Sequence, residues 1–213
     1  MAQYDIDEQK DKTERSRELW RRWRDARTDW DTEARDNIDF VLGNHYTQAE
    51  SDALRSVGQA DFVIDRVYAA VDKLKSLLTS RSPRFLAVGR EDSDSRLAAV
   101  WRTIMEYVWD VSDGSTHFKQ AVHDYAVAGL GYFYVYIDSE ADYGRGEVKF
   151  TYLDPFRVYV DPASRDRYLD DASGLLLSTI LTKSQILDLY PSLIEYIDEI
   201  ETMTDEEDYP SSS

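Results

Sequence analysis

Few residues in this chain are of the kinds that do chemistry, and their spacing disposes of most of them. There are three histidines, His45, His117 and His123. His117 and His123 fall on different sides of a helix, and neither has the i, i+4 partner that a helical zinc site uses. Asp154, Asp161, Asp170 and Asp171 lie close enough in sequence to gather oxygen ligands for magnesium. Two of them precede proline and the other two sit in a charged loop, where aspartate is favoured for turn chemistry alone. No serine or threonine occupies a nucleophile elbow, and no glycine-rich loop ends in Lys-Ser or Lys-Thr. Gly129 and Gly131 form a lone Gly-x-Gly, but they precede a strand, the reverse of the dinucleotide fingerprint. With no paired base in view the pattern argues against an enzyme, and it calls for neither metal nor cofactor.

The elements that would position any site centre on residues 118–161. Phe118, Val122 and Tyr125 recur at helical spacing, with Ser112 or Ser115 available as a cap. Gly129 and Gly131 end that helix, and the period then changes to two. Phe133, Val135 and Ile137 point one way and Tyr132, Tyr134 and Tyr136 the other. Asp142, Gly144 and Gly146 supply a turn, and Val148, Phe150 and Tyr152 form the partner strand. Asp154-Pro155 and Asp161-Pro162 bracket a third strand over residues 156–160. The tyrosine face has the look of a stacking platform for nucleic acid or sugar. Ordinary sheet packing, with the rings half covered by a helix and the hydroxyls wet, explains it more simply.

Composition narrows the function classes. The 213 residues carry a net charge of -17, which opposes a grip on DNA phosphates and suits a wall that DNA passes without sticking. Cysteine is absent, so there is neither a disulfide framework nor a thiolate metal site. No apolar run is long enough to span a bilayer, and residues 1–10 are polar and acidic where a signal peptide is basic and then apolar. A protein made in the cytoplasm, with no membrane partner, is expected.

Taken in order, residues 1–18 are expected to be a flexible polar segment. Leu19, Trp23, Ala26, Trp30, Ala34, Ile38 and Val41 then make one long helical seam with Trp20 at its flank, stopped at Gly43-Asn44. Arg15, Arg17, Arg21, Arg22, Arg24 and Arg27 resemble a nucleic-acid patch, but Glu14, Glu18, Asp25 and Asp29 are threaded among them and favour ion pairing. A short helix is expected over residues 48–55. A second amphipath follows (Ile64, Val67, Val71, Leu74, Leu78), ended by Ser82-Pro83. Residues 84–88 are short and β-prone. Residues 92–94 place acids at the start of a third helix, whose buried side is Leu97, Val100, Trp101, Ile104, Val108 and Val111, closed by Asp113-Gly114. The apolar run 175–181 is expected as a strand covered on both faces inside the sheet. Thr182 with Gln185 matches a capping box for a helix over residues 183–190, and Leu193, Ile197 and Ile200 support another. Residues 195–208 are acidic without lysine or arginine, and the chain's end looks like a cut through a longer protein. The fold expected is α+β, with long amphipathic helices around a small mixed or antiparallel sheet. A domain over residues 19–191 is followed by an acidic segment, 192–213.

Several motifs, in this order, resemble the N-terminal part of portal proteins of short-tailed phages. They are Asp39-Phe40-Val41-Leu42-Gly43-Asn44-His45-Tyr46; Ile64-Asp65-Arg66-Val67-Tyr68 running to Arg81-Ser82-Pro83; Asp124-Tyr125-Ala126-Val127-Ala128-Gly129-Leu130-Gly131 entering a strand; and Val158-Tyr159-Val160-Asp161-Pro162-Ala163 followed by Asp170-Asp171-Ala172. The family more often has Gln-Trp where His45-Tyr46 stands, and its members run to several hundred residues. The resemblance covers about residues 20–191 and implies the wing region of a non-catalytic subunit. That subunit would sit in a twelve-fold ring at one capsid vertex of the virion, assembled in the host cytoplasm. Double-stranded DNA would pass through it during packaging and ejection. The implied partners are terminase, scaffold, major capsid, and head-completion or tail adaptor proteins. On this reading Gly43, Pro83, Gly129, Gly131, Asp161 and Pro162 set backbone shape, and Trp20, Trp23 and Trp30 are potential subunit contacts. A competing expectation is an acidic adaptor or nucleic-acid mimic that binds a basic partner through residues 195–208.

Overall fold

A computed structural model of the protein describes residues 6–89, 91, 95–166 and 168–194. The chain groups into two compact units, Met1–Asp31 with Phe156–Ser213, and Thr32–Pro155. Helix α1, Ile6–Val41, contributes its first part to one unit and its last part to the other. It begins well ahead of the expected Leu19, because its polar first half is built from glutamate, lysine and arginine, which are good helix formers. Along its seam Trp23, Ala34 and Val41 are buried, while Ala26 is exposed. Gly43, at φ 86°, lets the chain leave the helix, and His45 stacks on Phe40 at 3.9 Å to close the end.

The second unit continues with α2, Gln48–Ser56, opened by a reciprocal capping box between Thr47 and Glu50. Helix α3, Arg66–Leu78, starts on Asp65, whose carboxylate accepts from Tyr68 N at 2.8 Å. It ends at Thr79, ahead of Pro83. The β-prone residues 84–88 pair with no strand among the described residues. Helix α4 is Ser95–Val111, and the acids expected at its start, residues 92–94, lie outside the described residues. Asp113, in the left-handed region at φ 50°, makes the corner into α5, Gly114–Ala128, without a side-chain cap. Neither Ser112 nor Ser115 serves as that cap. Ser112 Oγ accepts instead from Phe150 N at 3.0 Å.

Gly129, at φ 78°, ends α5 and leads into β1, Tyr132–Asp138. This strand pairs antiparallel with β2, Glu147–Leu153, in a register that sets Val135 opposite Phe150 and Phe133 opposite Tyr152. The connection is the single turn α6, Ala141–Gly144, with Asp142, Tyr143 and Gly144 all at positive φ. Phe118 and Trp109 of the helices pack on Phe150 and Phe133, which pack on each other, while Val135 and Ile137 of the same face stay exposed. On the tyrosine face Tyr132 and Tyr136 are half-buried and Tyr134 is exposed. Tyr134 and Tyr136 stack on one another, 5.5 Å between centroids, on the opposite side of the hairpin.

The first unit holds a separate pair of strands, β3, Val158–Val160, and β4, Leu175–Leu177, antiparallel with Tyr159 opposite Leu176. The fold is α+β, with two antiparallel two-stranded sheets among the described residues in place of one sheet. A 3-10 turn, Pro155–Arg157, takes up the start of the expected third strand. The run 175–181 is no inner strand: only three of its residues pair, and Leu175, Leu177, Ile180 and Leu181 are exposed. Helix α7, Lys183–Leu189, starts on the Thr182–Gln185 capping box as its spacing required. Leu193 ends a 3-10 turn, Pro191–Leu193, while Ile197, Ile200 and the acidic run 195–208 lie outside the described residues.

Candidate assembly surface

The second unit is organised by Trp109. Its ring lies 5.2 Å from Phe150, 5.4 Å from Phe85 and 6.2 Å from Phe118, so one side chain joins β2, the segment before α4, and α5. Such tilted aromatic contacts add about 1 kcal/mol each beyond area burial. Two glycines let the elements close. A Cβ on Gly114 would stand 2.3 Å from the Trp109 ring, and one on Gly131 would stand 2.4 Å from the Ala121 carbonyl oxygen. Tyr107 donates to Glu147 at 2.6 Å, and this acceptor raises the tyrosine's pKa. Tyr152 donates to Asp124. Burial pushes the Asp124 carboxyl up, against the opposing pull of the Tyr152 hydroxyl and His123, with Asp154 adding repulsion.

Trp109 is the one buried residue of α4 and was absent from the buried side expected of it. At about 100° per residue, Tyr107, Val100, Val111, Ile104, Leu97, Val108 and Trp101 fall in a continuous stripe centred roughly 140° from Trp109. That stripe was expected to be core. In the structure Leu97 is 56% exposed and Trp101 54%, and Val100, Ile104, Tyr107 and Val111 are likewise exposed. On α3, Tyr68, Leu74, Leu77 and Leu78 are exposed too, and α3 buries no residue. A helix with one aromatic anchor inward and a second apolar face in water carries the pattern of a surface that something else covers.

The first unit is closed by other means. Trp23 is its core residue, only 2% exposed. Arg27 donates to the carbonyls of Val158 and Phe156 (2.8 Å to the latter), pairs with Asp31 at 3.0 Å, and lies over the Tyr159 ring at 4.0 Å. Trp20 packs edge-on against Tyr159 and Trp30 against Phe156. Of the three tryptophans expected at subunit contacts, Trp23 has no surface to offer, while Trp20 and Trp30 keep partial exposure. The Arg27 role was invisible in sequence, since its acceptors are backbone carbonyls more than a hundred residues away; the aromatic neighbours at Trp23 and Trp30 were the only local sign.

Asp161 accepts from Ser173 Oγ and Ser173 N and from Ala163 N, and these donors hold its carboxyl below the usual range. Asp171 is likewise held low by Ser164 Oγ and the Arg165 N–H. Both carboxylates thus fasten the 161–173 loop, with Pro162 at its start, where Arg165 donates to the Pro162 carbonyl at 3.0 Å. Asp170 donates its N–H to Asp166 in the same loop. Among the described residues no three His, Asp or Glu side chains are placed to hold a metal ion. His117 contacts Gln120 at 3.3 Å and the edge of Phe150. A depression of 720 Å³ is lined by Arg81, Ser82, Pro83 and Arg84, a set with no nucleophile–base pair. No helix among the described residues is long and apolar enough to cross a membrane.

Each unit is held internally by an aromatic or charged anchor, α4 leaves an apolar face uncovered, and no His, Asp or Glu cluster that could hold a metal ion converges among the described residues. The model of the phage P22-like portal protein family matches residues 17–211, and the chain belongs to that family. It is a structural family whose members assemble as oligomers in the phage head. No match is found among curated proteins.

Proposed function

We propose that the chain builds part of the portal ring at the capsid vertex, the conduit through which double-stranded DNA is packaged and ejected. Its work is mechanical. Both units belong to the ring's wing, and the acidic surface keeps passing DNA unbound. Terminase, scaffold, coat and head-completion proteins dock on the assembled ring, with twelve copies as the expected stoichiometry. The observation that carries this reading is the uncovered stripe of α4, which Leu97, Trp101 and Ile104 expose at helical spacing. Family membership supplies the class of partner that covers it, another component of the head.

The test is negative-stain microscopy and sedimentation of the full-length protein and of its Trp101→Lys/Ile104→Lys double variant. Rings are expected from the full-length parent, and a shift to smaller species from the variant with an unchanged helical signal. A full-length parent that stays monomeric at low and moderate salt sinks the reading.

A further inference from the structure

We propose that residues 84–89 of one copy add as a third strand to the free β1 edge of the hairpin in a second copy. The inference rests on the portal reading and names a contact within it. From Ser82 to Gly89 the chain has no helix, turn or bend, and burial alternates residue by residue. Phe85 faces inward onto Trp109, while Leu86 and Val88 face outward, 74% and 76% exposed. This is a six-residue strand in length and pattern. Yet among the described residues no hydrogen bond reaches the backbone of residues 82–89. A row of unmet N–H and C=O groups beside an apolar outer face is completed by an extended polypeptide, and neither a nucleic acid nor a small ligand reproduces that repeat.

The hairpin offers the matching half. It has two strands, so β1 and β2 each have an outer edge. On β2 the N–H of Phe150 is already taken by Ser112 Oγ. Along β1, residues 133–137 make no backbone bond beyond those to β2, and Val135 and Ile137 are exposed. Charge sets the direction. Arg81 and Arg84 line the depression at one end of the segment, and Glu140 lies exposed just past β1. An antiparallel arrangement brings these ends together. Because the donor segment and the acceptor edge are different surfaces, the contact is head-to-tail and repeats from copy to copy, the kind of contact that closes rings.

Hydrogen–deuterium exchange on the protein across a concentration series, read beside sedimentation, tests this. Alternate amides within residues 84–89 and 133–137 are expected to gain protection together as assembly proceeds. Arg84→Glu is expected to weaken association by about fivefold, and Glu140→Arg added to it to restore most of the loss. Protection of residues 84–89 in the dilute monomer places the partner strand within the same chain and overturns the proposal. Assembly without protection overturns it while leaving the portal reading intact. Absence of assembly of the full-length protein at every concentration removes both.

Discussion

The two units solve the same problem, holding a two-stranded sheet against helices, with different chemistry. The unit of Thr32–Pro155 uses aromatic packing: Trp109 sits among Phe85, Phe118 and Phe150, with Gly114 and Gly131 allowing close approach. The unit that pairs β3 with β4 uses a cation: Arg27 reaches two carbonyls, one carboxylate and two rings. A two-stranded sheet is marginal alone, so each needs such an anchor. The aromatic unit leaves an apolar helix face uncovered along α4, and the β3–β4 unit leaves Leu175, Leu177 and Ile180 exposed while fastening its 161–173 loop with its own donors.

Truncating the anchors breaks the comparison most forcefully. Trp109→Ala is expected to cost about 4 kcal/mol, mostly from the cavity left among three phenylalanines, and Trp23→Ala a similar amount. Hydrogen exchange separates them: the amides of β1 and β2 lose protection in the first variant, those of β3 and β4 in the second. Exchange unchanged in the unit that carries the substitution would show that its tryptophan is not the anchor.

Arg27→Met sharpens the contrast at lower cost. It keeps much of the stem's packing on Tyr159 but strips the donors from the Val158 and Phe156 carbonyls, for about 2 kcal/mol in chemical denaturation. Arg27→Lys should recover only part, since an ammonium cannot span two carbonyls and a carboxylate as a planar fork does. Full recovery by lysine would reduce the anchor to a point charge.

How much of this was legible in sequence follows the range of each interaction. The hairpin, the glycine stops at Gly43 and Gly129 and the Thr182–Gln185 box are local, and their residues state them. Leu97, Val100, Trp101 and Ile104 announced an apolar face correctly, but periodicity tells which face is apolar and not what covers it. Trp109 was passed over because it lies off that stripe, a single ring whose neighbours come from three other elements. The run 175–181 is expected inside a sheet because a short, mostly apolar run looks alike whether two faces are covered or none. Asp161 and Asp171 cap turns in one loop, the turn chemistry that the sequence favoured for them over a magnesium site.

The smallest effect expected is on the pH dependence, where Asp161 of one unit and Asp124 of the other should carry opposite signs. Asp161 is held below its usual range by Ser173 and Ala163, so the folded state binds its proton less readily than the unfolded chain. Its contribution is fully present above the ordinary aspartate value, near 4, and is lost as pH falls through the lowered folded value. Asp124 is raised by burial, so its ionisation costs stability above the folded value, and acid removes that cost. Asp161→Asn should therefore flatten the acid limb of stability in the β3–β4 unit, measured by denaturation between about pH 3 and 6. Asp124→Asn still accepts from Tyr152 and should raise the stability of the hairpin unit at neutral pH, with the gain shrinking toward acid. If both variants shifted the acid limb in the same direction, the contrast between a carboxylate held ionised by its donors at Asp161 and one burdened by burial at Asp124 would fail.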